Sequence, residues 1–256
     1  MATILSRVWK HSSSVNNVSS RRNIMAKTQQ ITAAEAAALV KDGMTVMVGG
    51  FMSNGTPEGI IDEMVKTGVK DLTIICNDAG FGKKKDKTTG EWVGKATGVG
   101  KLIENHQVKK VIASHVGLNP MFGAMYFAGE IELELVPQGT LAERVRCGGN
   151  GLAGFYTPTG AGTEVAKGKE SKIFDGKEYI LETALHADVA LIGGHICDTV
   201  GNTRYIGSER NFNPMMATAA DLVIVGCSEI VEKGGIGPDY VETPGVYVDY
   251  IEGGAN

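Results

Sequence analysis

The feature that most constrains this chain is a rhythm. From residue 35 onward, short β-branched runs end in glycine-rich or polar turns and give way to apolar stripes at helical spacing. Met44 to Val48 reads as a strand that ends in Gly49-Gly50. Thr56 suits a helix N-cap, and Pro57 suits the first turn, where the N–H that proline lacks would have no partner. Ile60, Ile61, Met64 and Val65 form one helical stripe, and Gly68 stands where a left-handed C-terminal residue belongs. Leu72 to Cys76 is the next strand. Strand, glycine-rich turn, helix and strand, in that order, predict a right-handed βαβ crossover.

The rhythm continues with a helix around Val99 to Gln107 and a strand from Lys110 to Ser114. A further helix follows, then a strand with alternating Ile131, Leu133 and Leu135 that ends at Pro137, then a helix from Leu141 to Cys147. Asp188 to Ile192 and Asp221 to Val225 are unbroken apolar runs, as expected of strands covered on both faces. Tyr179 to Leu181 and Val246 to Tyr250 are candidate further strands, antiparallel to the others. The expected fold is α/β, an open and mostly parallel sheet with helices on both faces. Gly82 to Lys95, with Lys83, Lys84, Lys85 and Lys87, reads as a solvated loop in preference to a phosphate site. Gly148 to Lys172 joins the first four strands to the rest. No linker rich in proline or serine divides residues 35–256, which read as one domain.

Composition narrows the function. The 256 residues carry 25 Lys and Arg against 29 Asp and Glu, a net charge of −4, which excludes a generally basic nucleic-acid binder. No apolar run is long enough for a membrane-spanning helix. The 35 glycines have no three-residue period and sit between apolar runs, a pattern of tight turns and close backbone approach to a ligand. Cys76, Cys147, Cys197 and Cys227 form no C-x-x-C pair and read as buried free thiols of a reducing compartment. Residues 1–34 stand apart: they hold five of the basic residues and none of the acidic ones. Ile4, Leu5, Val8 and Trp9 share a helical face flanked by Arg7 and Lys10 among many serines, the composition of an organellar transit peptide. That reading implies a mitochondrial or related matrix. The alternative, a plain tail or a start at Met25, implies the cytoplasm.

Two stretches at strand ends carry the chemistry. Gly49, Gly50, Phe51, Met52, Ser53, Asn54 and Gly55 lie between a strand and a helix, where ligands of open α/β sheets bind. Their spacing fits neither G-x-G-x-x-G nor the P-loop, and Gly162 to Lys169 fails the latter too, with Glu170 where Ser or Thr belongs. Gln138, between Pro137 and Gly139, is either an amide donor to an oxyanion or part of a turn that caps the next helix. Asn77-Asp78-Ala79-Gly80 closes another strand and either contacts a ligand or makes an Asx turn. The histidines are scattered, His195-Ile196-Cys197-Asp198 has no second ligand cluster, and no metal site is expected. No G-x-S-x-G elbow exists. Glu143, Arg144 and Arg146 read as surface or interface ion pairs. No carboxylate stands out as a nucleophile.

Asp42 to Phe51 followed by Gly55-Thr56-Pro57, then Ala113 to Gly117, Pro137 to Leu141, Arg144 to Gly151 and Arg210 to Pro214, form an ordered set of motifs. In these the chain resembles the α subunit of the family I CoA-transferases, of the bacterial acetate/butyrate–acetoacetate type, over roughly residues 36–252. The resemblance implies transfer of CoA between an acyl-CoA and a short-chain (3-oxo) carboxylic acid by a ping-pong route. It implies a nucleophilic glutamate on a β subunit, an assembly of α2β2 form, and a CoA thioester as substrate with no permanently bound cofactor. It assigns Gly49 to Gly55 to the substrate and CoA loop, Gln138 to the oxyanion side and Asn77 to the pocket for the substrate carboxylate. Asp78 departs from the Asn-Asn of fused animal enzymes but agrees with the bacterial type. Ser53-Asn54 differs from common versions of the loop, and residues 82–97 look longer than in close relatives. Two other functions stay open on the residues alone: a sugar-phosphate isomerase of similar fold, and a non-catalytic CoA- or metabolite-binding protein.

Overall fold

A computed structural model describes residues 28–253. The transit-like leader lies outside the described residues as far as residue 27. In chain order the elements are β1 (Gln29–Ile31), α1 (Ala33–Leu39), β2 (Thr45–Val48), α2 (Glu58–Thr67), β3 (Leu72–Cys76), β4 (Lys84–Lys85), β5 (Trp92–Val93) and α3 (Val99–Glu104). Then come β6 (Val108–Ala113), α4 (Pro120–Phe127), β7 (Glu132–Leu135), α5 (Gln138–Gly149), β8 (Gly154–Thr157), β9 (Ser171–Phe174) and β10 (Lys177–Thr183). The last are β11 (Ala187–Asp198), β12 (Thr203–Arg204), α6 (Asn213–Met216), β13 (Ala220–Val231) and β14 (Tyr250–Gly253).

The main sheet runs β1-β14-β13-β11-β2-β3-β6-β7, with every neighbouring pair parallel and β12 added antiparallel to β11. After β1, which lies at one edge beside β14, the chain enters the centre at β2 and moves outward through β3, β6 and β7. It then crosses to the other side of β2 with β11 and moves outward through β13 and β14. The order therefore reverses between β2 and β11, which makes their carboxyl ends the topological switch point.

Alternation along each strand builds two apolar layers. Val46, Val48, Ile74 and Val111 face Ile60, Ile61, Met64, Leu102 and Phe122, contributed by α2, α3 and α4. Met47, Ile75 and Ile112 face Leu141, Val145 and Met216 of α5 and α6. Both strand faces are thus covered, which is why these strands read as continuous apolar runs. Ile60, Ile61 and Met64 are fully buried, and each contributes about 1.5–3 kcal/mol relative to exposure.

Several local expectations change. Residue 34 falls inside α1, whose cap is reciprocal: Thr32 Oγ1 accepts from the Glu35 N–H at 3.2 Å, and Glu35 accepts from the Thr32 N–H at 2.8 Å. Thr56 does not cap α2. Its hydroxyl donates to the Gly49 carbonyl at 2.9 Å, and the helix begins at Glu58 with Pro57 as its N-cap. Gly68 does end α2 in the left-handed conformation. Val246 to Tyr250 is not an antiparallel strand: Gly245–Tyr247 is a 3-10 turn, and β14 then pairs parallel with β13. β11 and β13 are twelve residues each, longer than their apolar runs, because glycines at 193, 194 and 226 interrupt the apolar signal without interrupting the pairing. Gly82 to Lys95 contains the β4–β5 ribbon, and 148–172 feeds a small antiparallel sheet, β8-β10-β9.

Candidate active site

The glycine loop leaves β2 at the switch point. Gly50 has φ +120, and a Cβ there would lie 2.0 Å from Thr56 Oγ1, so only glycine fits. Beyond it, Phe51 and Asn54 exchange two backbone hydrogen bonds of 3.0 Å across Met52 and Ser53, whose φ values are 50 and 64. This is the geometry of a type I′ hairpin turn, usually Asn-Gly. Holding Met and Ser there costs about 1–3 kcal/mol each, and the conformation persists because its surroundings determine it. Asp78 Oδ2 accepts from the Met52 N–H at 2.9 Å. The Ser53 and Thr97 hydroxyls are 2.6 Å apart. Asn211 Oδ1 accepts from the Gly50 N–H at 3.1 Å, and its amide donates to the Asn54 carbonyl at 3.0 Å. The apolar side chains of Phe51 and Met52 are left exposed at the tip.

Asn213 ties the far end of the loop to β11. It is fully buried, accepts from the Gly193 N–H at 3.2 Å and donates to the Gly55 carbonyl at 2.9 Å and the Glu209 carbonyl at 2.7 Å. Between this end of the loop and the strands lies a cavity of about 380 Å³, lined by Gly193, Gly226, Ser228 and Glu252 among others. Burial pushes the Glu252 carboxyl above the usual carboxylate range.

The other two strand-end stretches meet the loop through a chain of side chains. Gln138 is the first residue of α5, so it is neither in a free turn nor a cap, and Pro137 occupies the N-cap. Its Nε2 donates to Asn77 Oδ1 at 2.8 Å. Asn77 is 1% exposed and lies under Gln138, where Ser114 Oγ donates to its carbonyl at 2.8 Å and lies 3.2 Å from Oδ1. Asn77 Nδ2 donates to Asp78 Oδ2 at 3.2 Å, the same oxygen that holds the Met52 N–H. Asp78 Oδ1 accepts from the Gly80 N–H at 3.0 Å, which is the Asx turn. Gln138 is exposed, and its second amide hydrogen has no partner among the described residues. Three donors engage the Asp78 carboxylate, two on Oδ2 and one on Oδ1, and its side chain is buried, so it positions the loop.

The structure thus joins Gly49–Gly55, Asn77 and Gln138 into one site across the ends of β2, β3 and β7. Sequence reasoning left Ser114, Asn211 and Asn213 without roles. The run Arg210 to Pro214 was visible as a motif, but no local pattern says that its two asparagines clamp a loop some 160 positions away. Glu143 and Arg146 form an exposed pair, with Arg146 Nε to Glu143 Oε2 at 2.9 Å. Arg144 is different. It is buried, donates to the Thr183 carbonyl at 2.7 Å and pairs with Glu134 at 2.7 Å, fixing α5 to β7 and β10. Burial, reinforced by the nearby Asp78 charge, pushes the Cys76 thiol well up, so it is no nucleophile. Among the described residues no three His, Cys, Asp or Glu are grouped to hold a metal, and no helix is long and apolar enough to cross a membrane.

Comparison with known proteins gives the family. The chain is 49% identical over 225 residues to the acetate CoA-transferase subunit alpha of Escherichia coli (strain K12), covering 88% of this chain and 96% of the relative. It is 49% identical over 211 residues to the acetoacetyl-CoA:acetate/butyrate CoA transferase alpha subunit of Clostridium acetobutylicum, covering 82% and 91%. Among solved structures, an acyl-CoA transferase from E. coli O157:H7 superposes with a TM-score of 0.73 at 21% identity over 89% of this chain. The chain spans 47% of that structure's length. Neither the isomerase nor the non-catalytic alternative finds support in these comparisons. Residues 30–253 match the family described as coenzyme A transferase, and the chain belongs to that family.

Proposed function

We propose that this chain is the α half of a heteromeric CoA-transferase that moves CoA between an acyl-CoA and a short-chain (3-oxo) carboxylic acid. The observation that carries the reading is the pairing of an available donor with an engaged acid. Gln138 offers an amide hydrogen at the mouth of the site, while Asp78, the carboxylate beside it, has both oxygens occupied. A site with an oxyanion donor, whose adjacent carboxylate is buried and tied to the loop, suits a nucleophile supplied from elsewhere. A glutamate of a separate β subunit meets that need, and the relatives named above are alpha subunits by name.

In the ping-pong route, the partner's glutamate attacks the thioester carbonyl. The Gln138 amide donates to the oxygen as it gains charge, and collapse expels the CoA thiolate and leaves an acyl-glutamyl anhydride. The thiolate then attacks the glutamyl carbonyl of the anhydride, releasing the first acid and leaving a glutamyl-CoA thioester. The second acid reverses these steps to give the new acyl-CoA. The Gly49–Gly55 loop, with Phe51 and Met52 at its exposed tip, lies against the CoA arm, and the Asn77 end receives the substrate carboxylate through Gln138. An α2β2 assembly would present two such sites, and the basic leader would direct the chain to an organelle, which an import assay reads.

The test is acetoacetyl-CoA formation from acetoacetate and acetyl-CoA, by this chain alone and co-purified with a candidate β subunit. Activity is expected only in the mixture, with CoA trapped covalently on the β subunit by intact mass. Activity from this chain alone would place the nucleophile here and overturn the reading.

A further inference from the structure

Met52 and Ser53 keep left-handed backbone angles at the tip of the glycine loop, in a turn that normally takes Asn-Gly. Phe51 and Met52 are exposed, so the tip does not pack itself into place. Non-glycine residues persist in this conformation only where their surroundings fix them. Asp78 holds the Met52 N–H, and Asn211 holds the Gly50 N–H and the Asn54 carbonyl. The Ser53 side chain is held by a different part of the chain, the residues that follow the lysine-rich segment and lead into α3.

There the Thr97 hydroxyl lies 2.6 Å from that of Ser53. Two further contacts from the same stretch make this a clamp. The Gly98 N–H donates to Glu58 Oε1 at 2.8 Å, and Lys101 of α3 pairs with Glu58 Oε2 at 2.5 Å. The loop is therefore gripped at its tip and at the start of α2 from one side. Gly98 has φ +53, which favours glycine, and turns the backbone between the two grips. Thr97 is itself fixed: its N–H donates to the Phe81 carbonyl at 3.1 Å, and its carbonyl accepts from the Gly100 N–H at 3.0 Å. A Cβ on Gly80 would lie 2.4 Å from that carbonyl oxygen, so the segment is packed against the end of β3 as well. The cavity between the loop and these residues is about 10 Å³, room for no more than one water. The clamp therefore sets the position of the loop and holds no ligand of its own.

Resting on the CoA-transferase reading above, we infer that Thr97 is a positioning residue for the reaction: its hydroxyl fixes the Met52-Ser53 turn, so that the loop stands formed before the acyl-CoA arrives. A loop formed in advance spares the ligand the cost of ordering it. In the ping-pong route that cost falls on one half of the cycle. The free enzyme captures the acyl-CoA, and a slack loop has to be ordered at that step. When the acid enters, CoA is already joined to the enzyme, and the loop is ordered around it.

The experiment uses the enzyme co-purified with its β subunit and measures kcat/KM separately for acetyl-CoA and for acetoacetate. T97V keeps the shape of the side chain and removes the hydroxyl. It should lower kcat/KM for acetyl-CoA about fivefold and leave that for acetoacetate within about twofold, and T97S should restore the wild-type value. An equal fall in both values, as from lost folded enzyme, would overturn the inference, and so would no change in either. S53A should reproduce T97V from the other side of the contact, which keeps the test open if T97V folds poorly. In S53G the glycine adopts a φ of 64 unaided, so adding T97V should change nothing further. A second fivefold fall in S53G/T97V would count against the inference. Should the wild-type complex transfer no CoA, the functional reading fails, and hydrogen–deuterium exchange decides the clamp separately. T97V should speed exchange of the 51–54 amides about fivefold with protection of α5 unchanged, and equal exchange in the two proteins removes the clamp.

Discussion

Gln138 Nε2 donates to Asn77 Oδ1 at 2.8 Å, joining the start of α5 to the end of β3 although 61 positions separate the two residues. Asn77 is itself held by Ser114 and Asp78, so the exposed amide of Gln138 rests on a buried and satisfied support. A donor held this way needs little reorganisation when charge develops on a carbonyl oxygen, which is the condition for transition-state stabilisation.

Replacing Gln138 with Ala should therefore lower kcat of the assembled enzyme by about 10²–10³. N77S should lower it as well, by releasing the Gln138 amide. Because the two act as one unit, the double variant should lose little more than Q138A alone. Steady-state kinetics of the four enzymes check this, and strict additivity would separate the two roles.

Asp78 serves the loop through geometry. In D78N one carboxylate oxygen becomes an NH2 group, and either the Met52 N–H or the Gly80 N–H loses its acceptor. A loss of about 1–3 kcal/mol is expected from thermal or urea unfolding. The left-handed Met52 and Ser53 would also lose a restraint, so KM for the CoA thioester should rise. A stable variant with unaltered KM would show that the hairpin holds itself.

Asn213 and Gly193 close the other end. N213A leaves the Gly193 N–H without its acceptor and the Gly55 carbonyl without its donor, and should cost about 1–3 kcal/mol. In G193A the new Cβ would lie 2.4 Å from the Gly55 carbonyl oxygen, backbone that cannot swing aside. That variant should lose about 1–3 kcal/mol and also displace the loop. Unfolding curves beside KM measurements test both.

Glu252 offers a check on where the nucleophile is. Burial raises its pKa, so the native protein holds this proton more tightly than the unfolded chain does. Its contribution to stability is full below the ordinary glutamate pKa and is lost as pH rises through the raised value. E252Q removes that loss. The variant should melt above wild type near pH ~7.5 and approach it near pH ~4. CoA transfer should persist, whereas abolished transfer with an intact fold would move the nucleophile to this chain.

The residues alone determine the layers. Val46, Met47 and Val48, like Ile74 and Ile75, are apolar at consecutive positions, and only a strand covered on both faces buries such a run. The stripe Ile60, Ile61, Met64 and the Gly68 stop define α2 in the same local way. Local pattern also placed the Gly49–Gly55 turn, Asn77 and Gln138 at strand ends. It could not decide what Thr56 bonds to or how far β11 and β13 extend, because each depends on neighbours distant along the chain. Tertiary structure alone decided that Asp78 is engaged on both oxygens, that Asn77 lies beneath Gln138 and that Asn211 and Asn213 hold a loop far from them in sequence. The physical reason is range: periodicity and turn chemistry act over a few residues, whereas a buried hydrogen bond is set by whichever strand the topology brings alongside.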